Sequence, residues 1–178
     1  MGTFVALLRG VNVGGKNTLS MAELRPALSS LDLADVATYL QSGNVVFRSP
    51  GEARHLAADI EQRIAEVFGA NVAVLLRTPA ELRRIASANP FLKDEGELTK
   101  LHVVFLDGTP GAGAKAKLDP DRSPPDRFSL RGREIYLHLP NGAGRSKLTL
   151  DYFERRLGIR ATARNWKTLT KLIDLTRG

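Results

Sequence analysis

The spacing of apolar residues changes repeatedly along the chain, and each change marks an element. Residues 3–9 are apolar at nearly every position and predict a strand buried on both faces. Met21, Leu24, Leu28 and Leu31 then fall on one helical stripe. Ser20 and Glu23 supply a capping box at its start. Pro26 lies inside that stripe without a backbone donor, so a kink or a late start is expected. Residues 36–40 and 44–48 read as strands joined by the turn Gln41-Ser42-Gly43. Leu56, Ile60, Ile64, Val67 and Phe68 recur at helical spacing, and Gly69 stops that helix. Residues 72–76 form the next strand. Thr78-Pro79-Ala80-Glu81 opens a further helix with a cap residue, a first-position proline and a glutamate three residues on.

The second half repeats this order. Residues 101–106 predict a strand, followed by the loop Asp107-Gly108-Thr109-Pro110-Gly111-Ala112-Gly113 and a short helix near 114–118. Residues 119–126 are polar and proline-rich, hence a loop. Residues 128–130 and 134–139 flank a turn at Arg131-Gly132. Residues 149–157 predict a helix ended by Gly158, then a weak strand at 159–163 and a last helix carrying Trp166, Leu169, Leu172 and Ile173. Asn165 caps that helix, and Trp166 reads as a packing anchor rather than a ligand stacker.

Each half therefore reads β-α-β-β-α-β plus a helix, the split βαβ or ferredoxin-like order. Residues 5–10 lie on 103–108 at an offset of 98, and the glycine pairs Gly43/Gly132 and Gly69/Gly158 share an offset of 89. The expected fold class is α+β: two tandem ferredoxin-like pseudo-repeats, at residues 1–90 and 91–178, packed into one body. Chance matching of glycines is the competing explanation.

Composition narrows the chemistry. The chain has 178 residues, 43% hydrophobic and 25% charged, as an ordinary globular protein does. No apolar run reaches the roughly 18 residues of a membrane span, so no membrane partner is expected. The first residues lack a basic leader, and a cytoplasmic location is expected. The absence of cysteine excludes disulfides, thiolate metal sites and cysteine nucleophiles. Net charge is +7 but uneven: residues 1–144 hold 17 Lys/Arg against 16 Asp/Glu, and residues 145–178 hold 9 against 3. Such a basic segment attracts polyanions; a merely solvated basic face is the plainer reading.

The loop Gly10-Val11-Asn12-Val13-Gly14-Gly15-Lys16 fits G-x-x-x-x-G-K after a strand. Asn17 stands where a phosphate-binding loop carries Ser or Thr, and the helix signal begins only at Ser20. Two weaker readings stay open: anion binding by loop amides with Arg9 and Lys16, or a crossover loop using glycine for positive φ. His102 opens the first strand of the second half and His138 closes its third, which would bring the rings close. Without a nearby acid they make no metal site or catalytic base, and strand histidines are the plainer reading. Asp94-Glu95-Gly96-Glu97 reads as a solvated acidic loop lacking the spacing of a calcium loop. No metal and no cofactor are expected. One aromatic on the third strand makes a base-stacking platform an unfavoured reading.

These strings resemble a known bacterial family, the domain of unknown function 1697. The matching stretches are Leu8-Arg9-Gly10-Val11-Asn12-Val13-Gly14-Gly15-Lys16, Met21-Ala22-Glu23-Leu24, Tyr39-Leu40-Gln41-Ser42-Gly43-Asn44-Val45-Val46-Phe47, Asn89-Pro90-Phe91 and Arg164-Asn165-Trp166-Lys167-Thr168. The resemblance spans nearly the whole chain and implies a compact α+β cytoplasmic protein, with no activity or catalytic residue to carry over. Val11 replaces the isoleucine that members often carry, and Pro26 is less usual. The leading functional expectation is a non-catalytic module binding an anionic partner, either nucleic acid or a phosphorylated small molecule. Its candidate contacts are Arg9, Asn12, Gly14, Gly15, Lys16, Arg164 and Lys167. The alternative is a small-molecule enzyme with a loop-built polar pocket at Gln41, Ser42 and Asn44. A structural or partner-binding protein is a third possibility, and a monomer is favoured.

Overall fold

The computed structural model describes residues 1–93 and 97–178. The acidic stretch at 94–96 therefore lies outside the described residues. The fold is mixed α+β, with two four-stranded antiparallel sheets and five α-helices among the described residues. The chain forms two compact units. The first comprises Met1–Arg83 with Leu172–Gly178, and the second Arg84–Lys171.

The first unit runs β1 (Gly2–Leu8), α1 (Met21–Leu28), β2 (Ala34–Tyr39), β3 (Asn44–Ser49), α2 (Ala53–Phe68) and β4 (Val74–Arg77), leading into α3 (Pro79–Ser87). Its sheet order is β2-β3-β1-β4. The central strand β1 pairs antiparallel with β3 and β4, and Val5 to Leu8 are fully buried. Ala6, Leu8, Val45, Phe47 and Val74 face α1 and α2 in one core with Leu24, Leu28, Ile60 and Ile64.

The second unit runs β5 (Leu101–Leu106), β6 (Arg127–Arg131), β7 (Glu134–His138), α4 (Leu150–Leu157) and β8 (Ala161–Asn165), leading into α5 (Trp166–Leu175). Its sheet order is β6-β7-β5-β8, the first unit's order in its own numbering. Val104, Leu106, Ile135, Leu137 and Ala161 pack with Tyr152 and Phe153 of α4.

Local signals explain where elements begin and end. Thr78 and Glu81 close a reciprocal capping box: the Glu81 amide donates to Thr78 Oγ1 at 3.2 Å and the Thr78 amide to Glu81 Oε2 at 2.7 Å. Asn165 accepts from the Thr168 amide at 2.8 Å, and Thr149 from the Tyr152 amide at 3.2 Å. Gly69 and Gly158 end α2 and α4 in the left-handed conformation.

Four expectations need correction. Helix α1 starts at Met21 and runs through Pro26, but its capping box does not form. The Glu23 amide bonds the Ser20 carbonyl at 3.1 Å in place of the serine hydroxyl. The expected helix near 114–118 is a single 3-10 turn, Ala114–Lys117. Pro120 disfavours helical geometry at Asp119 and stops it from lengthening. Strand β8 begins at Ala161 rather than 159, because the left-handed exit at Gly158 needs two residues to re-enter extended geometry. Finally, His138 pairs with Leu101 while His102 pairs with Leu137. One step along a strand reverses the face, so the two rings lie on opposite faces of the sheet.

Gly43 is the most constrained turn residue. Its φ is +86°, and a Cβ there would sit 2.8 Å from Leu8 Cβ. Gly69 has φ +64° with nothing within 4 Å. Both alanine variants carry left-handed strain of about 1–2 kcal/mol, and Gly43→Ala adds overpacking of about 1–3 kcal/mol. Urea unfolding will show Gly43→Ala as the clearly less stable of the two.

Candidate functional site

The Gly-rich loop of the first unit is a miniature hairpin. Val13 and Lys16 form a bridge, and the Lys16 amide donates to the Val13 carbonyl at 3.1 Å. Gly14 and Gly15 between them have φ of +59° and +72°, as a primed two-residue turn requires. The Asn12 amide donates to the Asn17 carbonyl at 3.2 Å. A phosphate-binding loop instead leaves successive amides open at the start of a helix. Here two of those amides are spent within the hairpin, and α1 starts five residues after Lys16. The nucleotide-loop reading therefore fails on geometry.

Asn12 holds this hairpin in place. Its Nδ2 donates to the Leu19 carbonyl at 2.8 Å and to the Gln41 carbonyl at 2.6 Å, while its Oδ1 accepts from the Leu19 amide at 2.8 Å. It thereby ties the loop to the β2–β3 turn. Asn12, Asn17 and Leu40 all have positive φ, at 56°, 46° and 60°. Leu40 and Val13 are exposed at 51% and 64%, large apolar side chains left in water on neighbouring loops. Arg9 is half-buried, and Gly14, Gly15 and Lys16 are exposed at the tip.

The polar candidates of the turn divide. Gln41 and Ser42 are exposed, whereas Asn44 is fully buried. Asn44 Nδ2 donates to the Tyr39 carbonyl at 2.8 Å and to Ser42 Oγ at 3.2 Å, so it braces the turn from within.

The two C-terminal candidates belong to the second unit and also divide. Lys167 is exposed on the first turn of α5. Arg164 is buried, and its guanidinium donates to Thr162 Oγ1 and to the Ala163 carbonyl, both at 2.8 Å. Desolvation pushes its pKa down to about 10. Arg77 of the first unit is its counterpart: buried at the end of β4, it donates to the Leu76 carbonyl at 2.9 Å.

Of the polar face of β7, the sequence reading singled out only His138. Glu134, Tyr136 and His138 alternate with Ile135 and Leu137, and all five are buried. Arg84 lies 3.9 Å from Glu134, and Tyr136 donates to the Ile85 carbonyl at 2.8 Å. Burial, then the Glu134 charge, pushes the Tyr136 phenol up to about 12. Arg127 approaches His138 Nδ1 at 3.4 Å and lies 5.0 Å above the Phe91 ring. The period-two alternation of 134–138 was the available signal. Among the described residues, no cluster of three or more His, Asp or Glu is arranged to hold a metal.

A family model described as a protein of unknown function (DUF1697) matches residues 1–136. The chain belongs to this family. No curated protein matches the sequence. Among solved structures, the DUF1697 chain resembles the conserved bacterial protein SP0830 from Streptococcus pneumoniae at TM-score 0.77 and 23% identity. That match covers 100% of this chain and 99% of the other, and it establishes a shared fold.

Two predictions follow from these sites. Asn12→Ala loses the bonds to Leu19 and Gln41 and strains a left-handed position. Asn12→Gly relieves the strain alone, so both variants lose about 1–3 kcal/mol in urea unfolding for the unpaired Leu19 groups, with alanine the worse. His102 is held below the ordinary imidazole value of 6.5 by burial, partly offset by a bond to the Lys100 backbone. The unfolded chain therefore takes up this proton first. Stability is lost as pH falls below 6.5, and His102→Gln flattens that slope in urea titrations between pH 7 and pH 5.

Proposed function

We propose that this DUF1697 protein is a non-catalytic module that binds an anionic partner, nucleic acid or a phosphorylated small molecule, chiefly through its second unit. One observation carries the reading. Residues 1–83 with 172–178 hold 9 Lys/Arg against 9 Asp/Glu, while residues 84–171 hold 17 against 10. The whole excess of +7 thus belongs to one unit. Lys115, Lys117, Arg145, Lys147, Lys167 and Lys171 are exposed there and form no ion pair among the described residues. Unpaired surface cations attract polyanions by releasing condensed counterions. Lys16, with the Gly14 and Gly15 backbone, is a smaller candidate contact at the hairpin tip of the first unit. Arg164 is withdrawn from this set by its burial.

The aromatic residues favour phosphate over base contacts. None of the eleven is exposed, so base stacking lacks a platform. The proposal also takes the two units as copies of one ferredoxin-like ancestor. Paired details support this: Val74 and Ala161, which open β4 and β8, each donate an amide to a glutamate of the preceding helix, Glu61 at 2.9 Å and Glu154 at 2.8 Å. The same reading makes the protein cytoplasmic and monomeric. No helix among the described residues is long and apolar enough to cross a membrane.

A second reading, a loop-built small-molecule site at Gln41 and Ser42, draws on the three positive-φ residues Asn12, Asn17 and Leu40 around it.

Fluorescence polarisation with a labelled oligonucleotide at several salt concentrations tests the leading reading. Affinity should fall steeply with salt, and Lys147→Glu should weaken binding and reduce the log–log slope by about 1. Gln41→Ala with Ser42→Ala should leave this affinity unchanged. Salt-insensitive binding, or none at low salt for oligonucleotides and phosphorylated small molecules alike, refutes it.

A further inference from the structure

The two sheets treat their outer strands differently. β2 ends the first sheet with a register shift between Ala34 and Ala37, and Asp35 there has a φ of +54°. Such a bulge blunts an edge against further pairing. β6 ends the second sheet in unbroken register, Arg127 to Arg131 on His138 to Glu134. The remaining edges, β4 and β8, are buried along nearly their whole length.

The register shows which groups β6 leaves over. The Leu106 amide donates to the Arg133 carbonyl and the Leu139 amide to the Lys100 carbonyl, both at 2.9 Å. Successive residues of a strand bond to opposite neighbours, so Glu134, Tyr136 and His138 turn their backbone groups to β6. Their partners are Arg131, Ser129 and Arg127. The N–H and C=O groups of Phe128 and Leu130 therefore point out of the sheet, and no hydrogen bond among the described residues takes them. Leu130 is 6% exposed, so its outward groups are thinly hydrated and gain from a new partner. Surface hollows run beside the strand, one bordered by Phe128, Ser129 and Leu130 and the other by Leu130, Arg131 and Gly132. The exposed side chain of Lys115 lies beside both and is the flexible group an incoming chain would displace.

Side chains select the occupant. Arg127 and Arg131 are exposed on one face of β6. Arg131 is oriented by the Ala88 carbonyl at 3.1 Å and Ser129 Oγ at 3.3 Å, and Arg127 lies 5.0 Å above the Phe91 ring. On that face Glu134 is buried with Arg84 at 3.9 Å, and ahead of the strand buried Asp126 accepts from Ser123 Oγ at 2.7 Å. The opposite face meets the segment that packs Ala114 and Leu118 in one core with Leu130. Lys115, Lys117, Asp119 and Asp121 are exposed on that segment and balance in charge, so this face favours uncharged side chains. A second copy of β6 fits poorly. In the fully overlapping antiparallel register it sets Arg127 opposite Arg131 twice, and like charges directly opposite repel.

We propose that the open edge of β6 docks an extended acidic peptide of a partner protein, which adds a fifth strand with carboxylates opposite Arg127 and Arg131 and uncharged residues opposite Phe128 and Leu130. This goes beyond the reading of the exposed lysines and does not depend on it.

Nuclear magnetic resonance titration of the full chain with acetyl-Glu-Val-Thr-Val-Glu-amide tests it. The Phe128 and Leu130 amides should shift and become protected from hydrogen exchange. Acetyl-Lys-Val-Thr-Val-Lys-amide should bind about tenfold more weakly, because two attractive cross-strand pairs become repulsive. Methylating both valine nitrogens should abolish binding, since those N–H groups face β6, and methylating the threonine nitrogen should leave it intact. Arg131→Glu should keep native circular dichroism and narrow or reverse the preference between the two peptides. Lys147→Glu should change acidic-peptide affinity by less than about twofold, which separates this edge from the lysine surface. The proposal is overturned by unshifted Phe128 and Leu130 amides, by equal binding of the two peptides, or by binding that survives valine methylation. A wild-type dimer that protects the same two amides overturns it as well, in favour of a second copy.

Discussion

The central strands β1 and β5 are buried on both faces and hydrogen-bonded on both edges, and this constraint governs what each unit can present to a partner. Val5 to Leu8, and Val103 to Leu106, have essentially no accessible surface. A strand of this kind leaves neither sheet face open at its centre. Ligand chemistry is thereby displaced to loops, rims and the outer sides of helices. The aromatic residues follow the same rule. Phe47, Phe105, Tyr136 and Phe153 are buried and consumed by packing.

Two-sided burial also forces polar groups on these strands to find partners at close range. Arg77 and Arg164 each turn back to the carbonyl of the preceding residue. A buried charge without such partners is costly, and burial of Arg164 pushes its pKa down to about 10. The same residue type, at the same strand end, with the same bond in both units is a packing solution. An arginine that served only a ligand would have no reason to recur in the neutral unit as well as the basic one. This is why the burial of Arg164 weighs against a contact role, while exposed Lys167, three residues further along, is free of that objection.

The parts of this architecture visible in the sequence were those fixed by local chemistry. Thr78 with Glu81, Asn165, Gly69 and Gly158 mark helix ends through bonds that reach only a few residues, so composition reveals them. The hairpin glycine Gly43 is likewise local, although its need is sharpened by Leu8 from another strand. Features that depend on a distant partner were hidden. The loop at 10–17 carries glycines compatible with a phosphate cradle or a hairpin, and Asn12 decides between them by reaching Leu19 and Gln41. The faces of His102 and His138 depend on a register one residue apart, which no local signal reports. The polar row Glu134, Tyr136, His138 was written in plain alternation. Its covering by Arg84 and Ile85 comes from α3, about fifty residues earlier in the chain, and is not visible in the strand itself. Of the candidate residues, exposure separated Lys16, Gln41, Ser42 and Lys167 from Asn44 and Arg164, and exposure is a tertiary property.

Under the proposed duplication, the differences between the units are informative because the shared core constrains everything else. The strand order, the glycine helix ends and the glutamate-to-amide bonds are retained in both. What differs is the outer layer. One unit keeps a helix after its first strand and a balanced set of charges. The other replaces that helix with a single turn and carries the whole positive excess. The turn still buries Ala114, and Leu118 follows it into the core, so the second unit covers its sheet with fewer residues than α1 supplies to the first. Charge accumulation in the same unit is disfavoured, since like charges repel within a folded body. Both departures lie in the outer layer of one unit, while the core connections are the same in the two.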